Sequence, residues 1–328
     1  MSSSINLLGL KKNCYFVKKV LKKGLVFRST GSWYTVESDG HFYACRIKGK
    51  LRLKGIKSTN PIVVGDRVIF EVDILSSEPQ GTILEIEERQ NYIVRKSVNL
   101  SKQTHIIASN IDQVFLLITL HNPSTSTSFI DRFLVTAEAY QIPTILIFNK
   151  IDTYTLKQEQ EVDHLAALYS KIGYKTLKIS ATKRLNINKI ESMMENKLSM
   201  FSGHSGVGKS TLINSIAPNL NLKTSDISNY NQQGIHTTTF AEIFALPRGM
   251  KLIDTPGIKG FGVVDMQAKE IGNYFPEFIS LKSECKFHNC LHQREPQCAV
   301  IDAFKEGNIA ESRYKSYLQM LENDTTYR

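Results

Sequence analysis

One short stretch constrains the fold of this chain more than any other. Residues 203–210 read GHSGVGKS and match the P-loop pattern G-x-x-x-x-G-K-[ST]. The stretch follows an apolar run, Ser199–Phe201, and precedes a predicted helix, which is the strand-loop-helix context that this motif needs. Its glycines let backbone N–H groups converge on a phosphate at the N-terminus of a helix. The motif therefore predicts a nucleoside triphosphate site in an α/β sheet and leaves the base undetermined.

The residues that act on the phosphates follow from this motif. Lys209 is expected to neutralise the β- and γ-phosphates, and the Ser210 hydroxyl to ligate Mg²⁺. Downstream, Asp254 ends a short apolar strand and opens the sequence DTPG. In P-loop enzymes an acid at this place holds Mg²⁺ through water, and the N–H of the following glycine, here Gly257, can sense the γ-phosphate. The sequence thus predicts a nucleotide switch that uses Mg²⁺.

A polar stretch between these two motifs is the candidate first switch. Residues 223–239 show little periodicity and end in the cluster GIHTTT. A switch loop needs a threonine that reaches Mg²⁺ and the γ-phosphate only in the triphosphate state. Thr238 is our candidate for that threonine, and a threonine-rich entry into a strand is the alternative interpretation.

A further motif identifies the base. Residues 149–152 read NKID and follow the predicted strand Ile145–Phe148, so they lie at the carboxyl end of a strand, where α/β sheets bind ligands. The Asp152 carboxylate can accept hydrogen bonds from guanine N1–H and N2–H₂, a donor pair that adenine lacks. Ser180 and Ala181, after the next predicted strand, resemble the short element whose N–H contacts guanine O6. The predicted GTP-binding residues are Asn149, Lys150, Ile151, Asp152, Ser180, Ala181, Gly203, His204, Ser205, Gly206, Val207, Gly208, Lys209, Ser210, Thr211, Asp254 and Gly257.

The order of these motifs is unusual. In ordinary small GTPases the P-loop comes first and the guanine motif follows, whereas here the guanine motif precedes the P-loop. The order indicates a circular permutation, which a sheet tolerates when its strands keep the same neighbours. It also puts the two phosphate-sensing segments directly before the C-terminal tail, so loss of the γ-phosphate can reach that tail over a short covalent path.

That tail contains a cluster of metal-binding residue types. Cys285, Cys290 and Cys298 lie close together with His292 between them, and His288 is a competing ligand. Three thiolates and one imidazole are the ligand set of a closed tetrahedral Zn²⁺ site. Because four protein ligands leave no position for water, one structural Zn²⁺ is expected and not a catalytic one.

The chain before these motifs has a different pattern. Short alternating runs separated by turn residues predict a small barrel of the oligonucleotide-binding (OB) type. Its predicted strands are Leu25–Arg28, Trp33–Glu37, Phe42–Ile47, Arg67–Val72 and Thr82–Glu87. Further strands are predicted at Val114–Ile118, Ile145–Phe148, Thr176–Ile179 and Ser199–Phe201, with helices at Phe129–Tyr140 and Leu156–Ser170, after Lys209 and, as a surface helix, at Ile309–Leu321.

These patterns divide the chain into four parts. We expect a basic extension at 1–24, an OB-fold domain at 25–96, a circularly permuted P-loop α/β GTPase domain at 97–263 and a helical zinc-binding domain at 264–328. No apolar run approaches the roughly 18 residues that a membrane helix needs, so we expect no membrane partner. The clustered cysteines indicate a reducing cytoplasm, and we expect a monomer.

The positive charge of the chain points to a polyanionic partner. The formal net charge is +10, and a strand over residues 46–54 would align five cations on one face, which suits a phosphate backbone. A solvated strand edge is the alternative. The predicted RNA-binding residues are Arg46, Lys48, Lys50, Arg52 and Lys54.

Taken in this order, the motifs at 149–152, 203–211, 234–239 and 254–257 make the chain resemble the small ribosomal subunit-dependent GTPases of the RsgA or YjeQ family. The resemblance extends from Leu25 onward and implies His292 as the fourth zinc ligand. It also implies that the chain binds the small (30S) ribosomal subunit and its 16S rRNA, and hydrolyses GTP to GDP and phosphate in late maturation of that subunit.

Catalysis must differ from that of GTPases that orient water with a glutamine after the D-x-x-G motif. That place is Ile258 here, whose side chain forms no hydrogen bond. The family resemblance makes His236, in the switch loop, the candidate that orients the attacking water. Two other functions stay open from the residues: a GTP-gated RNA-binding scaffold with little turnover, and a zinc hydrolase with a vestigial P-loop, which the closed ligand set disfavours.

Overall fold

The computed structural model describes residues 19–47, 61–73, 80–95, 105–220, 241–254 and 266–326. The N-terminal part is a closed barrel of strands β1 (Lys19–Ser29), β2 (Tyr34–Ser38), β3 (His41–Ile47), β4 (Arg67–Asp73) and β5 (Gln80–Ile86). The strands pair in the cycle β1-β2-β3-β5-β4-β1, and β3 and β5 are parallel. The predicted OB-like barrel is therefore confirmed.

Alternating side chains fill the barrel. Residues at every second position point inward, because side chains alternate across a strand. The inward set comprises Val26, Tyr34, Val36, Cys45, Val68, Phe70, Val72 and Ile83. Gly81 lies where the wall is tight, since a Cβ there would come within 2.3 Å of the Cys45 sulfur.

The first strand is longer than predicted. It was expected to begin at Leu25, but Lys19–Leu25 pair with Asp73–Arg67 and close the barrel. The lysine-rich composition of this segment indicated a basic extension and not a strand. Its ammonium groups point outward and pair with acids, as in Lys19 with Glu71 at 2.7 Å and Lys23 with Glu87 at 2.7 Å.

A short hairpin and a buried ion pair join the barrel to the next domain. The hairpin consists of β6 (Tyr92–Arg95) and β7 (His105–Ser109) and was not predicted. Arg89 makes two hydrogen bonds of 2.7 Å to Asp66, and the Ser109 hydroxyl donates to the same carboxylate at 2.6 Å. Because Asp66 and Arg89 are almost fully buried, this junction is fixed by paired charges and not by a flexible linker.

The central domain is an α/β sheet covered by helices. Its strand order is β10-β9-β8-β11-β13-β12, parallel except for β12. The strands are β8 (Gln113–Ile118), β9 (Thr144–Phe148), β10 (Lys175–Lys178), β11 (Leu198–Ser202), β12 (Glu242–Ala245) and β13 (Lys251–Asp254), and the helices are α1 (Thr127–Ala139), α2 (Leu156–Ile172), α3 (Ile187–Met194) and α4 (Lys209–Ile216). β12 was not predicted; it also pairs with barrel strand β1, where Arg28 contacts Glu242 at 2.7 Å.

The C-terminal part is helical around its own core. It contains α5 (Ala268–Ile271), α6 (Pro276–Ile279), α7 (Ala299–Lys305) and α8 (Glu311–Thr326). The predicted surface helix Ile309–Leu321 corresponds to α8, yet one side of it is buried, including Arg313, Tyr317 and Leu321. That side packs on α1 of the central domain. Among the described helices, none is long and apolar enough to cross a membrane.

Candidate functional site

The P-loop connects β11 to α4 and lies where the parallel strands of the central sheet have their carboxyl ends, which we call the carboxyl edge. Gly203 and Gly208 have positive φ angles of 138° and 97°. A Cβ on Gly203 would lie 2.5 Å from the Leu117 carbonyl oxygen, and one on Gly208 would lie 2.4 Å from the Asn149 side chain. Both positions thus require glycine for conformation and for space.

The Lys209 side chain points back onto the P-loop. The Lys209 ammonium donates to the carbonyl oxygens of Gly203 at 2.7 Å and His204 at 2.6 Å. Ser210 lies in the first turn of α4 and is 7% exposed. The N-terminus of α4 therefore presents N–H groups, one cation and one hydroxyl in a single place, which suits a phosphate with its Mg²⁺.

Asn149 connects the guanine motif to the P-loop. Its side chain is almost completely buried, donates to the Val207 carbonyl oxygen at 2.8 Å and accepts from the Ala181 N–H at 3.1 Å. Thus one side chain holds together three segments that are far apart in sequence. The NKID motif was predicted to contact the base, but this role of its asparagine was not predicted.

Asp152 lies beside this connection with its carboxylate exposed. The Thr182 hydroxyl donates to it at 3.2 Å. Hydrogen bonding from Ser180 and Thr182 lowers the pKa of Asp152 below its ordinary value and outweighs the opposite effect of burial. The carboxylate is therefore ionised at neutral pH and can accept hydrogen bonds from guanine.

The loop between β8 and α1, residues 119–126, forms a third side of this region. The Lys150 ammonium donates to the Asn122 carbonyl oxygen at 2.6 Å, and a Cβ on Gly206 would meet Pro123 at 3.4 Å. The Tyr154 hydroxyl accepts from the Leu120 N–H at 3.0 Å. No sequence motif indicated this loop.

The predicted switch residues divide into two groups. Asp254 ends β13, which is next to β11, so it shares the carboxyl edge with Ser210. His236, Thr238 and Gly257 lie outside the described residues.

His204 connects the P-loop to α1. Its ring lies against that of Phe129, with centroids 3.7 Å apart and the two planes tilted by 32°. Burial and the nearby Lys209 charge lower the pKa of His204, so the imidazole is neutral at pH 7. The P-loop therefore rests on the N-terminal turn of α1.

A buried ion pair connects α1 to the helical C-terminal part of the chain, residues 266–326, which we call the C-terminal module. Arg313 on α8 donates to Asp131 on α1 at 2.8 Å and to both oxygens of Glu277 at 2.7 and 3.0 Å. Burial disfavours the charge of Arg313, but the two carboxylates outweigh it and raise its pKa. Since Arg313 and Asp131 have no exposed side-chain surface, α1 is clamped to α8 at a buried point.

The predicted metal ligands come together. The donor atoms of Cys285, Cys290, His292 and Cys298 all lie within 4.8 Å of one another, whereas His288 is exposed and outside this group. The Cys285 sulfur is 3.7 Å from His292 Nδ1 and 3.9 Å from the Cys298 sulfur. Around a tetrahedral Zn²⁺ with bonds of about 2.3 Å to sulfur and about 2.0 Å to nitrogen, neighbouring donors lie about 3.5–3.8 Å apart. The cluster thus fits one metal ion of this size.

Hydrogen bonds stabilise the segment 285–298, which carries the four predicted metal ligands. The hydroxyl of Tyr314 donates to the His292 carbonyl oxygen at 2.7 Å, and that of Tyr317 to the Leu291 carbonyl oxygen at 2.5 Å. The Glu295 carboxylate accepts from three backbone N–H groups of this segment. Because both tyrosines belong to α8, the helix that clamps α1 also supports the metal ligands.

The predicted RNA face is described only at its beginning. Arg46 is exposed on β3, and its guanidinium lies 3.8 Å over the Trp33 ring. This pair places a cation and an aromatic plane together on the barrel surface. Lys48, Lys50, Arg52 and Lys54 lie outside the described residues.

Comparison with known proteins gives a consistent result. The sequence profile of the RsgA GTPase matches residues 86–264, and that of the RsgA N-terminal domain matches residues 23–83. The chain is 62% identical over 303 residues to the small ribosomal subunit biogenesis GTPase RsgA of Christiangramia forsetii, covering 92% of this chain and 96% of that protein. It is 53% identical over 302 residues to the protein named small ribosomal subunit biogenesis GTPase RsgA 2 of Bacteroides thetaiotaomicron, with 92% and 96% covered.

Two solved structures have the same architecture. The crystal structure of YjeQ from Thermotoga maritima superposes with a TM-score of 0.77 at 33% identity, covering 94% of this chain and all of that one. YloQ, described as a circularly permuted GTPase, superposes with a TM-score of 0.74 at 27% identity, with 94% and 96% covered.

Proposed function

The chain belongs to the RsgA GTPase family, and on that premise we propose that it hydrolyses GTP when bound to the small ribosomal subunit, as a step in late maturation of that subunit. Its relatives are named small ribosomal subunit biogenesis GTPases. The observation that carries the proposal is Asn149, which links the guanine motif to the P-loop and to Ala181 at one edge of the sheet. This arrangement supports a composite guanine nucleotide site.

We assign the residues of the GTP site as follows. Asp152 selects guanine, Lys209 neutralises the phosphates, and Ser210, Thr238 and Asp254, the last through water, hold the Mg²⁺ that accompanies GTP. When bound, Mg²⁺ neutralises charge that develops on the phosphates. His236 orients the attacking water, because Ile258 offers no hydrogen bond. Such a site hydrolyses GTP slowly until a partner orders the switch loop.

The metal in the C-terminal module is, in this proposal, one structural Zn²⁺. Three thiolates and an imidazole suit Zn²⁺, and a closed ligand set leaves no position for a reactive water. The module and the barrel provide affinity for the subunit and its rRNA, with Arg46 and the cations that follow it on the RNA face. We further propose a cytoplasmic monomer with no membrane partner. For the domains we propose the predicted boundaries of 25–96, 97–263 and 264–328, with residues 19–24 added to the barrel domain.

Retention on ribosomal subunits tests this proposal. A GTPase that couples hydrolysis to release should co-sediment with small subunits when loaded with a non-hydrolysable GTP analogue and should leave them over time when loaded with GTP. Lys209→Ala should be retained weakly in both cases. The second candidate function, a GTP-gated scaffold, is supported instead if GTP and the analogue retain the wild-type chain equally and for equally long.

A further inference from the structure

We propose that Tyr154 is a positioning residue for the bound guanine nucleotide, and that it acts by holding the loop at 119–126 against the guanine motif and the P-loop. The inference rests on the proposed GTP site and adds to it a determinant of how long the nucleotide stays bound. Neither the P-loop nor the NKID motif includes this residue.

The Tyr154 hydroxyl bridges two backbone segments. It accepts from the Leu120 N–H at 3.0 Å and donates to the Asn149 carbonyl oxygen at 3.1 Å. A phenolic hydroxyl can make both bonds at once, since it has one donor and free acceptor sites. Leu120 belongs to the loop and Asn149 to the guanine motif, so the hydroxyl fixes the distance between them.

The chain places the hydroxyl there through a short helical turn. Residues Ile151–Thr153 form one 3₁₀ turn that ends at Tyr154, and Thr155 then caps α2 with a reciprocal bond to Gln158. The turn brings Tyr154 back over Asn149. The ring also lies edge-on to His121, with centroids 5.9 Å apart, so packing as well as hydrogen bonding sets its position.

The loop that Tyr154 holds touches two parts of the nucleotide site. Its Asn122 carbonyl oxygen accepts the Lys150 ammonium at 2.6 Å. Its Pro123 lies against Gly206 of the P-loop, where a Cβ would come within 3.4 Å. A shift of this loop would therefore release the end of the Lys150 side chain and one support of the P-loop together.

Internal hydrogen bonds make the loop move as a unit. The Thr119 hydroxyl donates to the Pro123 carbonyl oxygen at 2.6 Å, and the Thr125 hydroxyl accepts from the Thr119 N–H at 3.3 Å. A backbone bond of 2.8 Å from Thr125 N to Thr119 O closes the same turn. Because the turn is closed at both ends, a constraint applied at Leu120 reaches Asn122 and Pro123.

The variant Tyr154→Phe removes one oxygen and leaves the ring. Loss of two hydrogen bonds in a partly buried place should speed release of the fluorescent nucleotide mant-GDP by about three- to tenfold, measured by stopped flow with excess GDP as the chase. Tyr34→Phe is the matched control, because its hydroxyl donates to the Gly31 carbonyl oxygen at 3.2 Å inside the barrel; its mant-GDP release should equal that of wild type.

Two measurements separate positioning from a general loss of stability. The melting temperatures of nucleotide-free Tyr154→Phe and Tyr34→Phe should fall by similar small amounts, because each variant loses one partly buried hydroxyl, while only Tyr154→Phe should accelerate release. Thr119→Val should also accelerate release, and the double variant should accelerate it less than the product of the two single effects, since both act through one loop. Equal release by wild type and Tyr154→Phe, or fully multiplicative effects, would overturn the inference. A wild-type chain that binds mant-GDP no better than mant-ADP would instead reject the proposed GTP site.

Discussion

Replacing Arg313 with leucine removes the cation that holds the C-terminal module to α1. Arg313 contacts Asp131 at 2.8 Å and Glu277 at 2.7 Å, and the Arg313 and Asp131 side chains are fully buried. Tyr169 also donates to Asp131, at 2.7 Å, and this bond does not depend on Arg313, but the second Asp131 oxygen has no hydrogen-bond partner among the described residues. The substitution therefore leaves a buried carboxylate with one hydrogen bond and no counterion.

The expected cost follows from this geometry. Breaking a buried ion pair by removing one partner costs about 3–5 kcal/mol. The Glu277 side chain is 14% exposed and can contact water. We therefore expect a cost at the lower end of this range, about 3 kcal/mol. For a domain of about 150–250 residues, each kcal/mol lowers the melting temperature by about 2–4 °C, which gives about 6–12 °C here.

Scanning calorimetry on three variants tests this reasoning. Arg313→Leu should show the predicted loss, and adding Asp131→Asn should restore part of it, because the neutral amide is cheaper to bury than an unpaired charge. Lys315→Ala is the matched control on the same helix: its pair with Glu311 at 2.6 Å is exposed and should contribute nothing measurable. The predicted stabilisation by the ion pair would be refuted if Arg313→Leu lowered the free energy of unfolding by less than about 1 kcal/mol, or if adding Asp131→Asn recovered none of the loss.

Three further predictions concern the two sites. Lys209→Ala should weaken GTP binding about 10- to 100-fold, since a charge-assisted contact is lost, as measured by equilibrium fluorescence titration. Asp152→Asn should lose GTP affinity and gain affinity for xanthosine triphosphate, whose base carries a carbonyl where guanine has its amino group; competition binding measures both, and unchanged selectivity would contradict the assignment. Cys290→Ser should lower bound Zn²⁺ below one ion per chain and destabilise the C-terminal module. Elemental analysis measures the first effect and calorimetry the second; wild-type metal content and an unchanged melting temperature would contradict the prediction.

Helix α1 connects the P-loop to the C-terminal module through packed side chains. This connection is separate from the covalent path that the motif order predicts between the phosphate-sensing segments and the C-terminal tail. Phe129 at the start of α1 lies against His204 of the P-loop. Asp131, two residues further along the helix, pairs with Arg313 of α8. The helix that contacts the P-loop is thus joined by a buried ion pair to the module that carries the metal ligands. Subunit-stimulated hydrolysis should therefore fall in Arg313→Leu while GDP affinity stays near that of wild type.

Local motifs were predictable because their chemistry fixes their spacing. The P-loop and the guanine motif each lie within a few residues, and strand-helix context could be read around them. The predicted metal ligands lie within 14 residues of sequence, and only the choice between His288 and His292 needed more than ligand type.

Long-range contacts were not predictable in the same way. Asp131 and Arg313 are 182 residues apart in sequence, and nothing in the local pattern of either residue indicates the other. Tyr154 belongs to no sequence motif, and its partner Leu120 comes from the end of a different strand. The start of β1 was missed since lysine-rich sequence indicates a solvated tail unless a facing strand supplies acids such as Glu71.

The rate of GTP hydrolysis with and without small ribosomal subunits tests the central claim most directly. Wild type should hydrolyse GTP slowly alone and much faster with small subunits, and large subunits should have no such effect. His236→Ala should bind GTP normally but lose the stimulation, because the water-orienting group is gone. A wild-type rate that is the same with and without small subunits would contradict the account.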